Sequence, residues 1–244
     1  MTMPRRLLLM RVVGLALAAL AFVTLISLGN WQVRRLHWKE ALLASVDQRL
    51  QETPLTLAEV EKLPAGELEY RPMTVTGRFE HDRERHFFAT HEGQSGYFVY
   101  TPLRLEDGRA IFVNRGFVPF DMKDPATRPE GQVTGAVQIS GLARDRLDQK
   151  PSAIVPDNDI AQNIFYWKDL DAMARSSGLS ADAVLPFFID AGDAPNPGGL
   201  PVGGVTRISF PNDHLQYAIT WYGLAVTLAV IVGLLAWRGR RRHD

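Results

Sequence analysis

Residues 12–33 of the chain read VVGLALAALAFVTLISLGNWQV, and none of these 22 residues is charged. A second uncharged stretch, residues 215–237, reads LQYAITWYGLAVTLAVIVGLLAW over 23 residues. At a rise of about 1.5 Å per residue, helices of this length reach about 33–35 Å, whereas the hydrocarbon core of a bilayer is about 30 Å thick. Both stretches are therefore predicted to be membrane-spanning helices.

Each stretch has an alternative interpretation. The first could be a cleaved signal peptide, but its apolar run exceeds the about 7–15 residues that signal peptides use, and Ser27-Leu28-Gly29 is a poor cleavage site. The second could be a buried core helix, but four arginines lie among the residues that follow it, and Trp221 and Trp237 lie near its ends. Arginine and tryptophan are enriched at membrane boundaries, so two uncleaved spans are the favoured interpretation.

The charges of the chain are segregated. Its 27 basic and 27 acidic residues give a formal charge of zero, which argues against a strongly basic nucleic-acid binder. Three arginines precede the first stretch and four follow the second, while the region between holds 20 basic and 26 acidic residues. Because basic residues favour the cytoplasmic side, residues 1–11 and 238–244 are predicted to be cytoplasmic tails. The short basic N-terminus, without an Arg- and Ser-rich transit segment, favours a bacterial cytoplasmic membrane.

The region between the spans, residues 34–213, predicts one periplasmic domain rich in β structure. Residues 34–51 continue the first helix out of the membrane, and from Met73 to Glu80 apolar and polar residues alternate as in a half-buried strand. Residues 97–103 and 110–113 are apolar on both faces and are joined by a turn at Asp107-Gly108, which predicts a central hairpin. Further strands are predicted over 133–140 and 187–190, and a short helix over 168–177 that ends at Gly178.

The predicted fold class is thus an α+β membrane protein. Two transmembrane helices, residues 12–33 and 215–237, form a hairpin, and an extracytoplasmic, mostly antiparallel β domain, which could be a curled sheet or a small barrel, lies between them. Small residues at helical spacing support the hairpin, because they let two helices approach closely in lipid. Gly14 and Gly233 fall at similar depth in the two spans.

Several kinds of chemistry are excluded by the composition. The chain has no cysteine, which removes disulfides, zinc–thiolate sites, iron–sulfur clusters and thiol nucleophiles. Residues 93–96, GQSG, lack the second glycine of a nucleophile elbow and predict a turn. His81, His86 and His91 recur at intervals of five, which on a strand sends successive side chains to opposite faces. A solvated polar edge is therefore favoured over a metal cluster, and no set of groups suggests an enzyme.

His214 is the most informative histidine, because it lies directly before the second span. Asn212 or Asp213 can cap the helix there. Spacings of three, four and seven place His214 on one face with Tyr217 and Trp221, beside the small residues Ala218 and Ala225. The positive end of a helix disfavours a protonated ring, so a neutral imidazole that can ligate a metal is plausible. The alternative is an interfacial histidine that only bonds to a nearby loop.

Arg34 and Arg35 occupy the same outer interface at the end of the first span. One interpretation is an ordinary belt of interfacial residues that anchors the helix. The other is a site in which Arg34 or Arg35 pairs with the anionic groups of an amphipathic ligand, whose apolar part enters the groove beside His214.

A set of short motifs, in the same order and with the same two spans, resembles the surfeit locus protein 1 family. The matching residues are Trp31-Gln32, Arg35, Leu36, Trp38 and Lys39, then Gly96-Tyr97, Thr101-Pro102, Asp107-Gly108 and residues 113–119 (VNRGFVP), and finally Asn212, residues 214–218 (HLQYA), Thr220-Trp221, Leu224 and Ala225. Within this set, Asn114-Arg115-Gly116 is interpreted as a structural turn after a strand.

The resemblance implies a non-enzymatic assembly factor for haem-copper cytochrome c oxidase. Such a protein would bind haem a transiently and assist its insertion into the catalytic subunit of the oxidase, with haem a synthase as a further candidate partner. His214 matches the family histidine that is the candidate axial ligand of the haem iron, and Tyr217, Trp221, Arg34 and Arg35 would surround the haem. The alternative is a membrane-anchored scaffold that stabilises an oxidase intermediate without binding haem.

Overall fold

A computed structural model describes residues 5–64, 66–206 and 212–240. Contacts divide these residues into two compact units. The first unit holds the residues up to Ser45 together with those from Asn212 onward, and the second holds Val46 to Thr206. Parts of both predicted tails, residues 1–4 and 241–244, lie outside the described residues.

The first unit consists of α1 (Arg5–Leu50) as far as Ser45 and of α4 (His214–Arg240). Both are long and apolar enough to cross a membrane, with mean hydropathies of 2.4 and 2.1 in their most apolar windows. The hydroxyls of Thr24, Thr220 and Thr227 donate to backbone oxygens one turn earlier, so these polar groups are satisfied within the helix. The two predicted spanning helices are confirmed, and α1 continues unbroken through residues 34–50 as expected. The predicted membrane limits at 12–33 and 215–237 stay predictions, since both helices extend beyond them.

The two helices approach each other closely around Gly29. A Cβ at Gly29 would lie 2.6 Å from the Tyr222 ring, and the Tyr222 hydroxyl donates to the side-chain oxygen of Asn30 at 2.8 Å. By contrast, a Cβ at Gly14 or Gly233 would meet nothing within 4 Å. Gly14 and Gly233 therefore do not form the close approach, although they fall at similar depth in the two spans. A crossing helix pair is tightest near one point along its length, and here that point lies at the other end of the spans.

The second unit is built on a seven-stranded sheet that closes on itself. Its strands are β1 (Leu55–Thr56), β2 (Pro72–Phe79), β3 (Arg85–His91), β4 (Gln94–Arg104), β5 (Ala110–Pro119), β6 (Val137–Asp145) and β7 (Val184–Ala191). The order is β1-β2-β6-β7-β5-β4-β3, and β2 also pairs with β4, which closes five strands into a barrel. At the closure, Gly77 lets the β2 backbone approach β4, because a Cβ there would lie 2.5 Å from the carbonyl oxygen of Arg104.

The predicted strands are confirmed with shifted limits. Of the seven strand pairings, β1–β2 and β5–β7 are parallel and the other five are antiparallel, as predicted for a mostly antiparallel domain. The turn at Asp107-Gly108 joins β4 to β5, and Gly108 has a φ of +86° that suits glycine. Strand β6 begins at Val137, so Val133 lies outside it. Two short helices, α2 (Leu57–Val60) and α3 (Leu170–Ser176), complete the unit.

Strands β4, β5 and β7 are apolar on both faces because both faces are covered. One face contributes to a barrel core that includes Met73, Leu103 and Ile189, all fully buried. The opposite face packs Tyr100, Phe112 and Phe188 against α3 and its flanking loop. Burial on two sides explains why these strands lack the polar alternation seen in β2.

The predicted turn at Asn114-Arg115-Gly116 is wrong, because all three residues lie inside β5. The register against β4 shifts there by one residue, which marks a β-bulge. Gly116 has a φ of +125°, and a Cβ on it would collide with the carbonyl of Val202 at 1.9 Å. A bulge uses the same glycine chemistry as a turn but leaves the strand continuous, so the local sequence does not distinguish the two.

Candidate functional site

The candidate site lies within the helical unit, where His214 begins α4. The ring of His214 is half-buried, and its Nδ1 lies 2.7 Å from the side-chain oxygen of Gln32 on α1. Gln32 is only 8% exposed, although the residues on either side of it along the helix are less covered. A polar side chain within an apolar segment is costly to bury unless it is hydrogen-bonded, so this pair satisfies both groups.

This hydrogen bond decides which ring nitrogen is available. The Gln32 oxygen can only accept, so Nδ1 of His214 must carry the hydrogen and donate it. In a neutral ring, Nε2 then keeps its lone pair. The same arrangement, with one nitrogen held by an outer partner, orients metal-ligating histidines in many proteins. His214 is thus prepared to offer Nε2 to a metal.

The other predicted site residues on α4 differ in how deeply they are buried. Ala218 and Ala225 are 2% and 1% exposed, and Trp221 is half-buried, so this side of α4 is the packed one. Tyr217, by contrast, is 55% exposed. Of the two predicted caps, Asn212 has a buried side-chain oxygen without a hydrogen-bond partner among the described residues, whereas the backbone oxygen of Asp213 accepts from the N–H of Tyr217. Pro211, which precedes Asn212, lies outside the described residues.

The two predicted arginines are exposed on α1. The guanidinium of Arg35 lies over the Trp38 ring, 3.8 Å from its centroid. Arg35 follows Gln32 by three residues, which places it on nearly the same side of the helix, whereas Arg34 is about 200° around from Gln32. The helix therefore brings Arg35 to the side of the histidine pair and directs Arg34 away from it.

Gln32 is the site residue that sequence reasoning missed. In the sequence it is one uncharged amide in an apolar run, and the Trp31-Gln32 family motif that contains it assigns it no role. Polar residues inside a membrane segment are nonetheless uncommon and often functional, and that signal would have singled it out. Its partner is 182 residues away in the chain.

The histidines of the β domain have structural roles. The prediction of a solvated polar edge is wrong for His86, which is 3% exposed and bonded to Glu84 and Asn163. Glu84 is equally buried and also forms an ion pair with Arg128. No group of three or more His, Asp or Glu side chains among the described residues could hold a metal ion. The turn predicted for the GQSG segment, residues 93–96, is wrong for most of it, because only Gly93 lies in a turn, with Glu92, and residues 94–96 begin β4.

The fold and the site define a class of protein. It has two membrane-spanning helices and, between them in the chain, a β-barrel domain, and a histidine at the start of the second span is held by a glutamine of the first. A model of the SURF1 family matches residues 19–226, and the chain belongs to this family.

Individual relatives agree over most of their length. The chain is 39% identical to surfeit locus protein 1 of Rattus norvegicus over 225 residues, which cover 85% of the chain and 71% of the relative. It is 40% identical to a SURF1-like protein of Monosiga brevicollis over 240 residues, covering 93% and 88%. It is also 38% identical to the Homo sapiens surfeit locus protein 1 over 226 residues, covering 86% and 73%. The family resemblance drawn from the short motifs is confirmed.

Proposed function

We propose that the chain is a non-enzymatic assembly factor for haem-copper cytochrome c oxidase, which holds haem a transiently and passes it to the catalytic subunit. Membership of the SURF1 family supports the assembly role. The hydrogen bond between Gln32 and His214 is the observation that carries the haem-binding part. Haem a synthase is proposed as the protein from which the haem is received.

The residues around His214 suit an amphipathic iron porphyrin. Nε2 of His214 would be the axial ligand, because Nδ1 is held by Gln32. Tyr217 and Trp221 would contact the apolar parts of the porphyrin, and Arg35 is better placed than Arg34 to pair with a propionate. When bound, haem a supplies an iron that accepts one nitrogen ligand from the protein.

A single protein ligand agrees with a transient role. A carrier must hold its cargo firmly enough to collect it and loosely enough to release it. Within the described helices, His214 offers one nitrogen, and its surroundings are half exposed rather than enclosed. Release to the oxidase would then require the loss of one coordinate bond and of surface contacts, with no unfolding of the β domain.

We place the protein in a bacterial cytoplasmic membrane, with both termini in the cytoplasm and the β domain in the periplasm. The segregation of basic residues to the two ends supports this orientation. Reporter fusions at the two termini test it, and reporters that locate the termini on opposite sides would refute it.

The haem proposal is tested by replacing His214 with alanine. The wild-type and H214A proteins are purified from a strain that makes haem a, and their visible spectra are recorded. We expect the variant to lose most of the bound haem a. Any haem a that remains bound should lack the spectrum of histidine ligation. A matched control is His37→Ala, since His37 lies on α1, is exposed and has an ion-pair contact with Glu40 at 3.4 Å. Unchanged haem occupancy in H214A would refute the ligand assignment.

The scaffold alternative predicts a different result from the same preparations. Oxidase subunits would then co-purify with both the wild type and H214A, while haem a is absent from the protein under every condition of cellular haem a synthesis. Loss of both haem and oxidase association in H214A would instead link the two activities.

A further inference from the structure

Arg115 lies at the floor of a surface cavity in the β domain. Its side chain is among the largest buried ones, with the residue only 2% exposed. The cavity has a volume of about 270 Å³. Its other lining residues are all uncharged and include Phe79, Val133, Val137, Ile139 and Asn196. Pro195 and Pro197 are exposed, so the cavity is open to solvent on their side.

The protein partners of this guanidinium are all uncharged acceptors. One terminal nitrogen donates to the carbonyl of Gly131 at 2.5 Å and to the side-chain oxygen of Asn196 at 3.1 Å. The other lies 3.4 Å from Nδ1 of His81, and the Phe79 ring lies 4.7 Å from the guanidinium carbon. A guanidinium has five N–H donors, so two remain for a further acceptor.

Two other well-covered arginines of the domain, Arg128 and Arg144, have carboxylate partners. Arg128, 4% exposed, pairs with Glu84, and Arg144 pairs with both Glu69 and Asp190. For Arg115, no carboxylate lies within 4 Å among the described residues. Glu84 acts on it electrostatically but is already engaged by Arg128.

A buried charge without a counter-ion is expensive, and the fold retains this one. Removing a cation from water costs several kcal/mol unless an opposite charge or strong hydrogen bonds compensate. The same burial lowers the pKa of Arg115 to about 10, so the group is still a cation at neutral pH. The cation faces a cavity rather than a packed core, which leaves room for the missing negative charge.

We propose that this cavity binds a small organic carboxylate, with the carboxylate paired to Arg115 and a short hydrocarbon part against Val133, Val137 and Ile139. A planar guanidinium with two remaining donors suits a carboxylate. The apolar walls distinguish such a ligand from an inorganic anion, which would leave them in contact with water. The site lies wholly within the β domain and does not depend on haem binding.

Melting of the full-length protein in detergent tests the proposal, with sodium butyrate as the probe and ionic strength held constant with chloride. Binding to the folded state raises the melting temperature by mass action, and for a chain of this size we expect a saturable rise of about 3–6 °C at about ten times Kd. Sodium phosphate, at the same ionic strength, should give less than half of this rise. No saturable rise with butyrate, or an equal rise with phosphate, would overturn the proposal.

Two variants locate the effect. Arg115→Met removes the charge at similar volume and should abolish the butyrate response, while the exposed Arg109→Met should retain it. If Arg115→Met does not fold, Val137→Phe decides, because it narrows the cavity and leaves the guanidinium in place. A butyrate response in Val137→Phe equal to that of the wild type would place the binding elsewhere and refute the site.

Discussion

Replacing Gln32 with leucine should weaken haem binding at His214 while the helical hairpin stays folded. Leucine is close to glutamine in size and suits a membrane helix, but it cannot accept the hydrogen bond that Nδ1 of His214 donates at 2.7 Å. Without that partner, the ring can change tautomer and rotate, so Nε2 is no longer held ready as a ligand. Gln32→Glu keeps an acceptor at the same position and should retain binding.

The expected size of the effect follows from the role of the bond. Loss of a partner that orients a metal-ligating histidine typically costs about 10–100-fold in affinity, which corresponds to about 1.4–2.7 kcal/mol. A hydrogen bond between neutral groups contributes only about 0.5–1.5 kcal/mol to folding. Haem affinity should therefore fall by more than the stability of the hairpin does.

The assay is a titration of haem into purified, haem-free protein in detergent, followed by the Soret absorbance. Asn30→Leu is the matched control, because it removes another hydrogen bond between the two helices, from the Tyr222 hydroxyl at 2.8 Å, and leaves His214 in place. We expect Q32L to bind at least tenfold more weakly than the control. Equal affinities for Q32L and the wild type, or an equal loss in N30L, would show that Gln32 does not orient the ligand.

Three further predictions concern the β domain, each measured by urea unfolding of the full-length protein. Gly116→Ala should lower the free energy of unfolding by about 3 kcal/mol or more, because Gly116 has a φ of +125° and lies against a backbone carbonyl. Gly108→Ala, at a φ of +86° in open space, should lower it by about 1 kcal/mol. Equal losses of stability in the two variants would contradict the close approach at Gly116. Glu84→Gln leaves the buried Arg128 without its counter-ion and should lower the free energy of unfolding by about 3–5 kcal/mol. Glu61→Gln, at a more exposed pair, should lower it by less than about 1 kcal/mol. A small loss of stability in E84Q would refute the buried pair. The pKa of His81 is lowered because burial disfavours the charged ring, so below about pH 6.5 the unfolded chain binds more protons than the folded protein and the stability falls. His81→Gln should reduce this fall in stability. Identical profiles of stability against pH in the variant and the wild type would exclude His81 as its source.

Much of the fold could be predicted because its signals are local. An uncharged run such as 215–237 has few ways to satisfy its backbone other than a spanning helix. The alternation from Met73 to Phe79 and the Asp107-Gly108 turn specify a half-buried strand and a hairpin through short-range geometry alone. Local signals do not specify which strands become neighbours, so the pairing of β2 with β4 that closes the barrel could not be predicted.

The candidate site also combines features that follow from local sequence with one that depends on tertiary packing. The position of His214 before a span, and the helical spacing of Trp221 from it, could be predicted from the chain. Once Gln32 is known to belong to the site, helix geometry alone shows that Arg35 lies on the same side of α1 as Gln32 and that Arg34 does not. Gln32 itself could not be assigned, because its partner is 182 residues distant and only the packing of α1 against α4 brings the two together.

The sequence alone determined the two spans, the β character of the domain between them and the family resemblance, because composition, periodicity and short motifs are properties of neighbouring residues. Only the tertiary structure decided which polar groups are buried and with what partner. His86 was predicted to lie on a solvated edge but is covered, and Arg115 was predicted to lie in a turn but lies beneath a cavity. Burial and charge compensation depend on what distant segments place around a side chain, and that information is absent from any local stretch of sequence.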